Sequence, residues 1–432
     1  GYTARLKAEF KAITGLASPT LLGQFKEWLS SRGLTTKSLD KNAVLSLLPS
    51  LKPTDPARRA LEIRQDLGKT STAKYQAIMD CVCPDERVRG LLTYHGASTG
   101  RWTGQLVQPQ NLPRNTFKGD LESYFTLLKV ADLDTFDLCY PTMQTISATI
   151  RGVFIPSEGH TFFGGDYSAI EARVLFWLAS ESRGLQMFRD GVDIYRDMAT
   201  TIYQVPLAAV TKEQRELGKR GILGCGYGMG AKKFKETCMT FARIEISEDL
   251  AARTVESYRT KYRTVAVLWQ LQELAAKQAI ETKKPVKCGK VIWGVDGGFL
   301  FCRLPSGRCL SYPEPKIEPV ETSWGEVKPS VTFMGINGET KAWERQSTYG
   351  GKIVENMTQA VARDIMAEAM LRVEASGFKT VLTVHDELLT ERNDQTQMDG
   401  ITWFQQLMVT PPAWAVGLPI AAEAWTGKRY TK

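Results

Sequence analysis

Three observations predict an α+β chain. Apolar residues recur at helical spacing through much of residues 1–90, again over 182–279, and most regularly over 353–374. Residues 285–350 instead hold Val, Ile, Phe and Trp pieces broken by Gly and Pro, a strand-and-turn composition. Two further β-rich runs, at 161–163 and 381–389, are cut by clusters of polar residues. The 432 residues correspond to roughly two to four lobes. A hydrophobic fraction of 43% and a charged fraction of 24% exclude disorder, collagen-like repeats and a disulfide scaffold.

Element by element, Ala4–Ile13 and Leu21–Leu29 carry helix-spaced apolar residues. Pro53-Thr54-Asp55-Pro56 then starts one long stretch, Ala57–Met79, rich in the helix formers Arg, Lys, Leu and Ala. Leu91–Pro113 turns to Gly, Ser, Thr, Gln and Asn, which predicts loops and short strands. In the helix over 353–374, Val354, Met357, Val361, Ile365 and Ala369 form one apolar stripe, and Gly377 follows as a stop. The chain has no internal repeat and no low-complexity tract.

Lys and Arg number 55 against 47 Asp and Glu, a net charge of +8 that favours an anionic partner. Three histidines argue against a multi-His metal site. None of the eight cysteines forms a C-x-x-C pair, so zinc is not expected and free thiols are. No apolar run approaches the ~18–20 residues that span a bilayer, and no signal-peptide core follows Gly1. The absent initiator Met is what a processed form or an excised fragment would show.

Two carboxylates stand where strands run out. Thr161-Phe162-Phe163 leads through Gly164-Gly165 to Asp166, after which Ile170, Val174, Leu175 and Leu178 take helical spacing. Asp166 is thus expected at a strand-to-helix junction behind flexible glycines. In Val381–Leu389 the β-rich run is interrupted at His385-Asp386-Glu387, which predicts a tight hairpin with Asp386 at its tip. Buried acidic pairs need cations, and hard oxygen ligands suit Mg²⁺. The plain alternatives are a helix-capping Asp166 and an ordinary turn at His385-Asp386.

Thr211-Lys212-Glu213-Gln214 fits a capping box. On the helix it opens, Arg215, Lys219, Leu223 and Tyr227 are four apart and form one slanting face. That face could grip a triphosphate at one end and pack a sugar and base at the other, or simply be a solvated basic face. Six glycines, Gly218 to Gly230, imply close backbone approach, a bend, or termination near Gly224. Neither Gly218-Lys219-Arg220 nor the later glycine series has the spacing of a familiar phosphate loop.

Together these segments resemble the family A, DNA polymerase I-like, DNA polymerases. D-Y-S-A-I-E-A-R (Asp166–Arg173) resembles motif A, R-E-L-G-K-R-G-I-L-G-C-G-Y-G (Arg215–Gly228) motif B, and V-H-D-E (Val384–Glu387) motif C, in the family's order. S-T-G-R (Ser98–Arg101), Q-N-L-P (Gln110–Pro113) and the helix with Gln359 and Asp364 agree. L-P-S-G-R (Leu304–Arg308) and E-N-M-T-Q-A-V-A-R-D (Glu355–Asp364) are most similar to the phage and prophage branch. The likeness runs from about residue 15 to the C-terminus.

The resemblance implies a right-hand fold: a thumb over 1–90, incomplete at its N-terminus, a palm with an antiparallel sheet over 91–184 and 345–432, and helical fingers with a β-rich insertion over 185–344. It implies primer-template DNA and deoxynucleoside triphosphates as partners in a thumb–palm cleft, and template-directed DNA synthesis in phage replication. Asp166 and Asp386 would hold two Mg²⁺ ions, replaceable by Mn²⁺, with the Tyr167 backbone carbonyl as a further ligand. Arg215 and Lys219 would bind phosphates, Lys219 also donating a proton to pyrophosphate. Glu171 would be the steric gate against ribose, Tyr195 would lie near the phosphates, and Leu223 and Tyr227 near the sugar and base. Arg101, Gln359, Asn111 and His385 would contact DNA. A monomer, with replisome or processivity partners, in the cytoplasm (of a bacterial host if phage-encoded) follows from the same likeness, and no membrane partner is expected.

Four positions depart from the family pattern. Leu223 replaces an aromatic, Ala169 a Gln, Tyr195 a His and Glu355 an Asn. A single-subunit RNA polymerase-like enzyme and a catalytically silent DNA-binding relative are the rival readings. Glu171 and the Y-G at Tyr227 oppose the first, and the intact carboxylates and cations oppose the second. The residues before the palm are too few and too helical for a proofreading exonuclease, so none is expected in this chain.

Overall fold

The computed structural model describes residues 2–431 apart from 69, 141, 243, 322–324, 339 and 396–398. The chain divides into two compact units, one comprising residues 1–92, 104–156 and 427–432, the other 93–103 and 157–426.

The first unit is mainly helical. It opens with α1 (Tyr2–Thr14), α2 (Leu22–Ser30), α3 (Lys41–Leu47), α4 (Pro56–Leu67) and α5 (Thr70–Asp80). Leu6, Phe10, Phe25, Leu29 and Leu61 are fully buried and form its first core. Asp55 caps α4 by accepting from the Ala57 N–H at 2.8 Å, with Pro56 in the first turn. The single long stretch expected over 57–79 is in fact two helices. Gly68 closes α4 by donating to the carbonyls of Arg64 and Asp66, and the weak helix propensity of glycine makes it the natural break.

The two-residue strands β1 (Leu92–Thr93) and β2 (Thr103–Gly104) follow, then α6 (Leu121–Val130), α7 (Leu133–Cys139) and α8 (Thr142–Ala148). Tyr124 is buried at the centre of an aromatic cluster with Phe117, Phe125, Phe136 and Tyr140, at centroid distances of 5.1–5.5 Å. The C-terminal Tyr430 joins this unit by accepting from Arg151 Nη1 at 2.8 Å.

The second unit begins with β3 (His160–Tyr167) and a helical run: α9 (Ile170–Leu178), α10 (Ser182–Arg189), α11 (Ile194–Tyr203), α12 (Lys212–Cys225), α13 (Ala231–Thr237), α14 (Glu248–Lys261) and α15 (Arg263–Thr282). The β-rich region follows as β4 (Val286–Cys288), β5 (Val291–Asp296), β6 (Phe299–Arg303), β7 (Cys309–Pro313), β8 (Lys316–Glu321), β9 (Val327–Ile336) and β10 (Trp343–Thr348). It makes two antiparallel sheets, ordered β4-β5-β6-β7 and β10-β9-β8.

Then come α16 (Gly350–Ala375), the hairpin β11 (Lys379–Val384) and β12 (Glu387–Asn393), α17 (Gly400–Val409) and β13 (Ala422–Gly427). The sheet that carries the acidic residues has the order β11-β12-β3-β13, so the chain's last strands enclose β3. The stripe of Val354, Met357, Val361, Ile365 and Ala369 on α16 is buried throughout, at the centre of the unit's main core. Gly377 follows with a φ of +83°, the left-handed stop that glycine adopts without penalty. The eight cysteines are free thiols. Among the described residues no helix is long and apolar enough to cross a membrane.

Candidate active site

The antiparallel pairing of β12 with β3 sets Asp166 opposite Glu387, which places Asp386 beside Asp166 at the end of the pair. Val384 pairs with Glu387, so His385 and Asp386 are the whole of a two-residue turn, with His385 at a φ of +56°. The Tyr167 N–H donates to the Asp386 carbonyl at 3.1 Å, tying the two segments together next to both carboxylates. Tyr167 is itself held by its phenol, which donates to the Met408 carbonyl at 3.0 Å. Asp166 is not the N-cap of α9: the residue before that helix is Ala169, in the left-handed region at a φ of +52° and with no side-chain cap bond.

Gly164 and Gly165 are not flexible. They are interior residues of β3, and a Cβ on Gly164 would lie 2.2 Å from the Trp425 ring, one on Gly165 2.1 Å from Met408 Sδ. Only glycine lets those side chains close on the strand, so the pair fixes Asp166 instead of loosening it.

Both aspartates are half-buried. Burial and the adjacent Asp166 charge push the Asp386 carboxyl up to about 6, against a weaker opposite pull from Arg101. The Asp386 carboxylate is thus short of positive charge. Among the described residues no group of three or more His, Cys, Asp or Glu side chains is arranged to hold a metal. Two carboxylates without a cage fit a hard cation that keeps water and takes substrate oxygens as further ligands.

The capping box at α12 is as expected, Thr211 accepting from the Gln214 N–H at 3.2 Å and Gln214 from the Thr211 N–H at 3.0 Å. The helix runs past Gly224 to Cys225, and Gly226 is its C-cap. Tyr227 therefore lies beyond α12 and not on it. Gly226 keeps helical angles, φ −60° and ψ −15°, so the backbone carries the helical turn on to Tyr227.

Asp193, which caps α11 by accepting from the N–H groups of Tyr195 and Arg196, also accepts from Arg215 Nε at 2.6 Å. Burial pushes that carboxyl up, but Arg215 and the two N–H donors outweigh it and hold it below the ordinary range. The Tyr195 ring lies 5.3 Å from the Arg215 guanidinium and 6.0 Å from Lys219 Nζ, so the cations share an aromatic neighbour. Gly218 makes this possible, since a Cβ there would sit 2.1 Å from the Tyr195 carbonyl oxygen.

Glu171 joins two motifs. It accepts from Arg101 Nη2 at 2.6 Å and from the Tyr227 hydroxyl at 3.3 Å, and burial with this anion raises the Tyr227 phenol well above its ordinary value. The loop before Arg101 is held by Arg308, which donates to the Thr99 carbonyl at 2.9 Å, the Ala360 carbonyl at 3.1 Å and Asp364 at 2.7 Å. Ser306 donates to the same Asp364 at 2.6 Å. The Leu304–Arg308 turn, between β6 and β7, thus braces both α16 and the S-T-G-R loop.

On α16, Gln359 donates to Glu355 at 3.3 Å. His385 is exposed and lines a small pocket with Asp386, Arg101 and Arg363. Asn111 belongs to the first unit, where it donates to Gln108 at 2.8 Å. Sequence reasoning missed Asp193 as the partner of Arg215, Arg308 as a brace and any part for Arg363. The first had a signal, because an Asp at a helix start is a cap candidate, but the other two are pairings across long separations.

Comparison with known proteins decides the family. Residues 13–288 match the sequence profile of DNA polymerase family A. The chain belongs to that family. A DNA polymerase of Bacillus phage SP02 is 39% identical to this family A chain over 437 residues, which cover 100% of this chain and 66% of the phage protein. DNA polymerase I of Rhizobium leguminosarum is 23% identical over 98% of this chain and 36% of that protein. The chain therefore spans just under two thirds of the phage relative and about a third of the bacterial one. Its fold matches the POL domain of Pol1 from M. smegmatis, in complex with DNA primer-template and dNTP, with a TM-score of 0.61, 18% identity and coverage of 99% of this chain and 64% of that one. The right-hand polymerase fold expected from the motifs is the fold of this chain.

Proposed function

We propose that this chain extends the 3′ end of a DNA primer on a DNA template, using deoxynucleoside triphosphates and releasing pyrophosphate. One observation carries the reading: Asp166 and Asp386 stand side by side at the end of β3 and β12, in a member of a polymerase family. We propose primer-template DNA and dNTPs as its partners, in a monomer that works with replisome or processivity factors in the cytoplasm. We also propose the division into thumb (1–90), palm (91–184 and 345–432) and fingers (185–344).

Asp166, Asp386 and the Tyr167 carbonyl would hold two Mg²⁺ ions, or Mn²⁺ in their place. When bound, the ions supply Lewis acidity at the 3′-hydroxyl and at the leaving phosphates. The chain's own residues do the rest. The pinned β3 strand and the short hairpin keep the two carboxylates preorganised, so little rearrangement is needed as charge develops. Arg215 and Lys219 bind the triphosphate, Arg215 oriented by Asp193 and both by Tyr195. Lys219 gives its proton to the departing pyrophosphate. Glu171, held between Arg101 and Tyr227, crowds the sugar 2′ position, while Leu223 and Tyr227 pack the sugar and base. Arg101, Gln359, Asn111 and His385 contact the DNA.

Extension of a primer with each deoxynucleotide and each ribonucleotide tests the reading. The wild-type chain extends with deoxynucleotides. Asp386→Asn abolishes extension and largely spares DNA binding, and near wild-type extension by that variant would remove the two-carboxylate assignment.

A further inference from the structure

The reading above leaves one buried cation of α16 without a role. Arg363 is 8% exposed. Its guanidinium lies 4.5 Å from the Trp102 ring centre and 5.4 Å from that of Tyr94. Among the described residues its one ion-pair partner is Asp364, at 3.4 Å. That carboxylate is already taken by Arg308 at 2.7 Å and by the Ser306 hydroxyl at 2.6 Å. Two guanidinium groups thus share one carboxylate, which leaves a positive charge over. The Arg363 Nε, also buried, has no hydrogen-bond partner among the described residues. An unmet charged donor in the interior is costly, and stacking on two rings offsets only part of it.

The same side chain lines the pocket that contains Asp386, His385 and Arg101. Arg363 therefore borders the place where the reactive end of the primer sits if the chain is a polymerase. A free anion is a poor occupant, because Asp386 forms part of the wall. A phosphodiester is different: the duplex carries it in, and the rest of the DNA interface supplies the affinity. The phosphate cations Arg215 and Lys219 do not line this pocket, which separates it from the triphosphate grip.

We propose that Arg363 binds a backbone phosphate at the 3′ end of the primer, one of the last three phosphodiesters, and so completes its own charge balance. The inference rests on the primer-extension reading and adds a DNA-binding residue to it. The guanidinium is preoriented by Trp102 and Tyr94, so the contact positions the terminal nucleotide at Asp386 with little loss of side-chain freedom.

The test is a double-mutant cycle on the dissociation constant for primer-template, without nucleotide. Methylphosphonate, which removes one phosphate charge, is placed in turn at each of the last three primer linkages, and wild type is compared with Arg363→Met. Arg363→Met should weaken binding of the all-phosphate primer about ten- to a hundredfold and lower the salt dependence by about one phosphate contact. At one linkage the methylphosphonate should weaken wild type by a similar factor and the variant hardly further. Independent, multiplicative losses at all three linkages would overturn the proposal, as would a raised KM for nucleotide with primer affinity unchanged. If Arg363→Met fails to fold, Arg363→Lys takes its place, and absence of any charge-dependent loss in wild type alone also overturns the proposal. Wild-type extension of an ordinary primer is scored separately, so failure of the polymerase reading is distinguishable from failure of the Arg363 contact.

Discussion

Arg101 donates to Glu171 at 2.6 Å across 70 positions of sequence, and the same carboxylate accepts from Tyr227 at 3.3 Å. The sugar contact proposed for Glu171 is therefore built from three motifs rather than one. Glu171→Ala removes the bulk at the 2′ position and frees both partners, so the ratio of ribonucleotide to deoxynucleotide insertion should rise about ten- to a hundredfold. Glu171→Gln keeps the volume and should move that ratio much less, while loss of the ion pair costs about 1 kcal/mol or less at this exposure. Single-nucleotide insertion with matched ribo- and deoxynucleotides reads the difference. Equal ratios for the two variants would show that bulk is not what selects the sugar.

The raised Asp386 carboxyl sets a pH dependence for the metal-free chain. Its folded value is about 6 against an ordinary 3.8, so the folded state holds this proton more tightly than the unfolded state does. The contribution is fully present below pH 3.8 and is lost as pH rises through about 6. At pH 7.5 in EDTA, Asp386→Asn should therefore be more stable than wild type by about 1–3 kcal/mol. At pH 4 the gain should largely vanish. Urea unfolding at both pH values measures it, and an equally large gain at pH 4 would contradict the electrostatic cause.

Lys219 and Arg215 should separate kinetically. If Lys219 delivers the proton, Lys219→Ala lowers kcat by about 10²–10⁴. Arg215→Ala should instead raise KM for the nucleotide, about tenfold, with a smaller effect on kcat. Asp193→Asn retains a capping side chain but not the charge, and should shift KM in the same direction with little loss of stability. Asp193→Ala should lose about 1 kcal/mol besides. Single-turnover extension over a range of nucleotide concentrations resolves these cases.

Two of the close glycine contacts, at Gly165 and Gly218, should differ in whether they can be repaired. Gly165→Ala meets the flexible end of Met408, and should lose about 1–3 kcal/mol and much of the activity. Adding Met408→Ala should restore part of both. Gly218→Ala meets the Tyr195 carbonyl, which is backbone, so no side-chain truncation there should recover it. Thermal melts and extension rates of the singles and the double decide the matter.

The sequence was most legible where a local pattern has a local cause. The α16 stripe, the Thr211–Gln214 capping box and the His385-Asp386 turn each depend on neighbours within a few residues, and each stands where the pattern put it. The break at Gly68 was hidden because the composition is helix-forming on both sides of one weak residue. Gly164 and Gly165 were misread because their reason lies in Trp425 and Met408, far along the chain. Arg215 looked like a plain phosphate cation until Asp193 was found beside it. Arg363 lies inside the E-N-M-T-Q-A-V-A-R-D segment, yet only its three-dimensional neighbours show that two guanidinium groups compete for Asp364.

The pairing of β12 with β3 has one more consequence. Thr390 donates to the Phe163 carbonyl across 227 positions of sequence, with the whole helical and β-rich middle of the unit between them. Side chains alternate between the faces of a strand, so a slip of one residue would turn Asp166 away from Asp386 and point it at the opposite face. If the chain extends primers as proposed, its activity is all or none with respect to register: a partly assembled chain is silent rather than slow, and recovery of extension during refolding times the closure of this long-range strand pair.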